Sequence, residues 1–154
     1  MELNTRGRYA VTAMADLAKF GAGRAVPLSA IAERQHISLA YLEQLFASLR
    51  RAGLVESERG RAGGYRLSRP AERITVAEIM HAVEEAIRMT RCTGEDAAPC
   101  IPGKRCLTHS LWDALGEQIA WFLERVSLEE VIGGIAPGKI GGMPPPITEE
   151  RVSE

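Results

Sequence analysis

The chain has 154 residues, 45% of them hydrophobic and 25% charged, a balance that supports one folded domain or two very small ones and excludes whole-chain disorder. No apolar run approaches the ~20 residues of a membrane span, and three cysteines are too few for a disulfide framework, so the expected setting is a reducing cytoplasm. The net charge of −1 is unevenly spread, because residues 1–70 carry 11 Lys and Arg against 6 Asp and Glu while residues 71–154 carry 8 against 14; the basic part is the one expected to meet a polyanion.

The first predicted element is a helix over about residues 7–20, with Tyr9, Ala13, Leu17 and Phe20 on one inward face and Gly21 and Gly23 ending it. After Ser29 comes a short amphipathic stretch that points Ile31 and Ala32 inward. Ser38 is the expected N-cap of a third helix, stopped by Gly53, whose buried stripe is Leu39, Leu42, Leu45 or Phe46, and Leu49. Two amphipathic helices joined by a turn of about three residues read as a helix-turn-helix.

Residues 54–68 then read as two short strands around a turn in which Gly60, Gly63 and Gly64 permit positive backbone angles and Arg59, Arg61 and Arg66 supply charge. A basic hairpin directly after a recognition-type helix has the place of the wing in a winged helix-turn-helix. Its tip can follow a groove, and its guanidiniums can neutralise phosphate. DNA binding is therefore the expected activity.

Thr75 and Glu78 form a capping box that opens a helix to about Arg88, with Ile79, Val83 and Ile87 as its stripe. A long helix is expected from Thr108 to Val126, a rod of about 28 Å. Leu111, Leu115, Ile119, Phe122 and Val126 recur along one face, and Trp112, Trp121 and Leu123 widen it. Such a surface suits self-pairing into a symmetric dimer, the form that reads palindromic DNA. Ser127 and Glu130 offer a second capping box, and residues 133–154, rich in Gly and Pro, read as a flexible tail. The fold class expected is mainly α with a small β-hairpin wing, a winged helix-turn-helix plus a long dimerisation helix. Its parts are residues 1–72 for DNA binding, 73–132 for a linker helix, cluster-binding loop and dimerisation helix, and 133–154 for the tail.

All three cysteines lie in one segment with a histidine, spaced C-x7-C-x5-C-x2-H. The intervening residues are polar or small, unlike the apolar faces on which structural thiols sit. Cys106 and His109 share a face at the start of the long helix, about 5–6 Å apart, and a helix N-terminus favours the thiolate that metal binding requires. Cys92, Cys100, Cys106 and His109 are the expected ligands of one site. Such a donor set suits tetrahedral Zn2+ as well as an iron–sulfur cluster. The wide spacing fits two irons better than one zinc.

The runs RGRYAVTAM, ISLAYLEQLF, RGRAGGY and CLTHSLW together resemble the IscR family of iron–sulfur cluster-binding winged-helix regulators, over about residues 1–132. The CLTH run is specific, because related nitric-oxide and iron sensors on this scaffold generally lack that histidine. The resemblance implies a homodimer paired through the long helices and a [2Fe–2S] cluster held by Cys92, Cys100, Cys106 and His109. It also implies base-reading positions at Ser38, Ala40, Tyr41, Glu43 and Gln44, with a wing arginine at Arg59. Two departures stand out: seven residues separate Cys92 from Cys100 where the family has five, and Ala40 stands where Ser is frequent.

The function implied is a repressor of iron–sulfur cluster biogenesis genes that senses cluster status, acting on double-stranded DNA with a palindromic operator and served by cluster donor proteins. The rival readings are a zinc-stabilised DNA-binding protein that senses nothing and a small electron carrier. With no phosphate loop and no Ser/His/Asp or paired-carboxylate arrangement, an enzyme is not expected.

Overall fold

The computed structural model describes residues 4–83, 89–90, 92 and 99–134. Helix α1 spans Thr5–Gly21, α2 Leu28–Gln35 and α3 Leu39–Arg51; strands β1 (Val55–Glu58) and β2 (Gly64–Leu67) follow, then α4 (Val76–Ala82), α5 (His109–Arg125) and α6 (Leu128–Gly133). The order is that of a winged helix-turn-helix followed by a long helix. Residues 84–88, where α4 was expected to continue, and 135–154, which hold nearly all of the expected tail, lie outside the described residues.

Helix α1 is the hub and touches α2, α3, α4, α6 and β2. Its buried face is Gly7, Ala10, Ala13, Met14, Leu17 and Gly21. Small residues there let the neighbouring helices approach, and the core is filled from the other side by Ile31, Leu42, Leu45, Phe46 and Leu49. Each such large side chain contributes roughly 1.5–3 kcal/mol by leaving water.

Two expected core residues stay outside. Phe20 is 51% exposed because the inward stripe passes from Leu17 to Gly21 and leaves it to one side; Arg34 covers its ring instead, 4.6 Å from the centroid. Leu39 is 43% exposed, since it is the first residue of α3 and precedes the turn that packs inward. Tyr9 is half-buried and packs against the core. Helix α2 begins two residues early, at Leu28, with Pro27 before it.

The turn between α2 and α3 is three residues long, and His36 takes the left-handed conformation (φ 53°) with its N–H bonded to the carbonyl of Ala32. The Ser38 hydroxyl accepts from Tyr41 N–H at 3.2 Å and starts α3. The hairpin is antiparallel, with Val55 opposite Leu67 and Glu58 opposite Gly64. Val26 adds a third edge by exchanging two backbone bonds with Tyr65, of 2.8 and 2.9 Å. Gly64 is required there, because a Cβ would lie 2.2 Å from the carbonyl oxygen of Val26.

A seam closes the fold. Thr75 pairs with Ser127, Val76 N–H bonds to Val126 O at 2.9 Å, and Leu128 N–H bonds to Ile74 O at 2.8 Å. Both expected capping boxes form, Thr75 with Glu78 and Ser127 with Glu130. Leu128 is fully buried and joins the core around α1.

Candidate nucleic-acid interface and metal centre

Helix α3 turns one face to the core and the other to solvent. Ser38, Ala40, Glu43 and Gln44 are all exposed, and Tyr41 is half-buried. The Ser38 oxygen is occupied as the helix cap, which leaves its proton free to donate. Tyr41 packs edge-on against Tyr9 of α1, with centroids 5.9 Å apart and planes at 79°. Tyr9 thus joins the core, against which both rings pack, to the outward face of α3. Arg59 is exposed just past the end of β1. The expected base-reading positions thus lie along one helix, with the wing arginine at the hairpin tip.

Helix α5 keeps an apolar face open. Leu111 is 58% exposed, Phe122 39% and Trp112 37%, whereas Val126 at its end is buried against Val76 and Met80. The predicted stripe is therefore internal only at its C-terminal end. Among the described residues, no helix is long and apolar enough to cross a membrane.

The metal-binding candidates come from three places. Cys92 lies after α4, Cys100 opens a turn closed by the Ile101–Lys104 bridge, and Cys106 and His109 stand at the start of α5. The ligand atoms of Cys92, Cys100 and His109 all lie within 4.8 Å of one another. Cys100 Sγ and His109 Nδ1 are 3.3 Å apart. Cys106 is not one of that close group of three, although Cys100 is near enough to lower its thiol. His109 is 7% exposed, and its backbone N–H bonds to Cys106 O at 3.1 Å.

The thiols are unequal. The Thr90 hydroxyl, 3.1 Å from Cys92 Sγ, and then the Cys100 thiol hold Cys92 below the usual thiol range. Thr108, 3.6 Å from Cys106 Sγ, and again Cys100 do the same for Cys106. Cys100 shifts upward. The largest single influence on it, a bond from the Cys106 backbone N–H, lowers it, but donation to Cys92, burial and donation to Cys106 together outweigh that bond. Cys100 thus gives up its proton less readily than its two neighbours. A cluster of soft sulfur donors with one imidazole fits an iron–sulfur group or zinc and does not fit a hard, oxygen-seeking cation. Thr90 and Thr108 escaped the sequence reading because hydroxyls carry no ligand signature; only their position two residues from a cysteine hinted at them.

The start of the ligand loop rests on α5. Met89 Cγ lies 3.4 Å from where a Cβ at Gly116 would stand, which places the Met89 side chain against the helix.

The profile of the Rrf2 family, described as iron-dependent transcriptional regulators, matches residues 3–134. The HTH-type transcriptional regulator IscR of Xenorhabdus nematophila is 54% identical over 132 residues, covering 86% of this chain and 79% of that protein. Among solved structures, CymR, the global cysteine regulator of B. subtilis, superposes with a TM-score of 0.73 at 32% identity over 86% of this chain and 97% of its own. T. potens IscR gives 0.70 at 32% identity over 93% and 94%.

Proposed function

The chain belongs to the Rrf2 family of iron-dependent transcriptional regulators, and we propose that it reports the supply of iron–sulfur clusters to the genes that build them. It is a DNA-binding regulator and not an enzyme. The observation that carries the sensing reading is the convergence of Cys92, Cys100 and His109 within 4.8 Å, with Cys106 three residues before His109 at the start of α5.

These four residues would hold a [2Fe–2S] cluster, whose two irons take four protein ligands. When bound, it supplies a cross-link that depends on iron and is lost to oxidants. The chain's own residues turn that cross-link into a signal. Cys106 and His109 belong to the start of α5, and Cys92 and Cys100 precede it, so shared ligation would tie those two cysteines to the helix. Met89 already lies against Gly116 of α5. The far end of α5 is bonded to Val76 at the base of α4. A tie made at Cys92 and Cys100 would thereby be passed to the helices that seat α3.

The exposed face of α5 pairs with a second copy, giving a homodimer in which two α3 helices read the halves of a palindromic operator. Residues 1–72 do the reading, through Ser38, Ala40, Tyr41, Glu43, Gln44 and Arg59, and residues 73–132 sense and pair. The ligated dimer represses cluster-assembly genes in the cytoplasm, and the ligand-free dimer takes a different set of sites. Cluster donor proteins supply the site.

The test is a visible spectrum of anaerobically purified protein, with iron and sulfide assayed on the same sample. Red-brown protein with about two iron and two sulfide per chain, lost in Cys92→Ala, supports the reading. Colourless protein with one zinc per chain overturns the sensor and leaves DNA binding standing.

A further inference from the structure

The wing carries three arginines, and their pairing divides them. Arg66, in the middle of β2, reaches across to both acidic residues of β1: its Nη2 is 2.9 Å from Glu56 and its Nη1 3.1 Å from Glu58. Its Nε also donates to Glu56 at 3.2 Å. That guanidinium is neutralised twice over by its own hairpin. Neither Arg59 nor Arg61 makes an ion pair or hydrogen bond of its side chain among the described residues, and both are exposed.

The backbone decides where those two stand. Gly63 N–H bonds to Gly60 O at 3.0 Å, which closes a four-residue turn with Arg61 and Ala62 at its two corners. Arg61 is therefore at the apex of the wing and Arg59 on its flank. Positions 60 and 63 call for glycine, since Gly60 has φ 110° and a Cβ at Gly63 would lie 2.6 Å from Glu58 O. The tip thus presents two unpaired cations on a tight, glycine-bounded turn, while Glu56 and Glu58 are held back on the strand by Arg66.

We propose that Arg61 is a second DNA-contacting residue of the wing, taking a backbone phosphate beside the groove that Arg59 enters. This rests on the DNA-binding reading above and extends it. The apex of a turn reaches the phosphate ridge before it reaches base edges, so the contact is sequence-independent and adds counterion release without discrimination.

The experiment measures the affinity of the full-length protein for a labelled random-sequence duplex, and for a duplex obtained by binding-site selection, across a series of potassium chloride concentrations. Wild type is compared with Arg61→Gln, Arg61→Lys and Arg66→Gln. For each phosphate contact removed, the slope of log affinity against log salt becomes shallower by about 0.9. Arg61→Gln should show that change equally on both duplexes, Arg61→Lys should restore the slope, and Arg66→Gln should leave it at the wild-type value. An unchanged slope in Arg61→Gln overturns the proposal, as does a loss confined to the selected duplex, which would make Arg61 a base reader. Wild-type protein that binds neither duplex overturns the DNA-binding reading itself.

Discussion

Arg34 on α2 grips Asp16 on α1 with two bonds, from Nε at 3.0 Å and from Nη2 at 2.6 Å, each to a different carboxylate oxygen. Gln35 adds a third at 2.7 Å. The Asp16 side chain is fully buried, whereas Arg34 remains 34% exposed. The pair fixes the angle between α1 and α2, and hence where α3 begins. Arg34→Ala leaves a buried carboxylate with one neutral donor and should destabilise the fold by about 3 kcal/mol. Urea unfolding should show a lower midpoint with an unchanged slope. A midpoint equal to wild type would mean that the pair is structurally idle.

Glu43 is exposed on the outward face of α3. A carboxylate there repels phosphate but can accept from cytosine N4, so it rejects one class of site while tolerating another. Glu43→Ala should widen the set of sequences recovered in a binding-site selection. An identical preference in mutant and wild type would remove Glu43 from specificity.

The open face of α5 gives a direct test of pairing. Leu111→Arg places a charge on a side chain that is 58% exposed in the single chain and buried in the proposed dimer. Sedimentation should show a monomer of normal stability. Its affinity for a palindromic duplex should fall about a hundredfold, because the second half-site no longer binds as part of the same molecule. A dimer that persists would move the interface elsewhere.

Glu78 supplies a pH dependence. Burial raises its carboxyl, but the Thr75 N–H at 2.8 Å and the Arg69 guanidinium outweigh that and hold it below the usual range. A lowered carboxylate stabilises the fold fully above its unfolded value of ~4.3 and loses that contribution as pH falls through the lower folded value. Glu78→Gln should therefore cost about 1 kcal/mol at neutral pH, as expected for weakening a capping box. The difference from wild type should close in acid. A constant gap across that range would show that charge plays no part.

Much of this molecule is legible in its sequence because the signals are local. Ser38, Thr75 and Ser127 sit where caps belong, and each accepts the bond its position calls for. The three-residue turn and the glycine-marked hairpin follow from backbone sterics. What failed was local pattern read as tertiary fact. Phe20 and Leu39 match a stripe by spacing, yet each lies at a helix end, where the neighbour that would bury it is absent. At the candidate metal site the gathering of Cys92, Cys100 and His109 was readable from cysteine and histidine spacing. The upward shift of Cys100 beside two lowered neighbours was not, because it depends on hydrogen bonds that spacing does not fix.

The seam at Thr75 and Ser127 ties together the two ends of the stretch that carries α4 and α5, like the neck of a drawn bag. With both ends held, a change of length between Cys92 and Cys100 leaves the neck in place, and closing a loop of seven residues there rather than a shorter one of about five costs only about 0.3 kcal/mol more in entropy. The stretch bears on the DNA-reading body in two places: at the neck, where Ile74 and Leu128 are bonded and share its core, and through α4, whose Ile79 lies in that same core. The span between the cysteines can thus change in length while both footholds stay where they are.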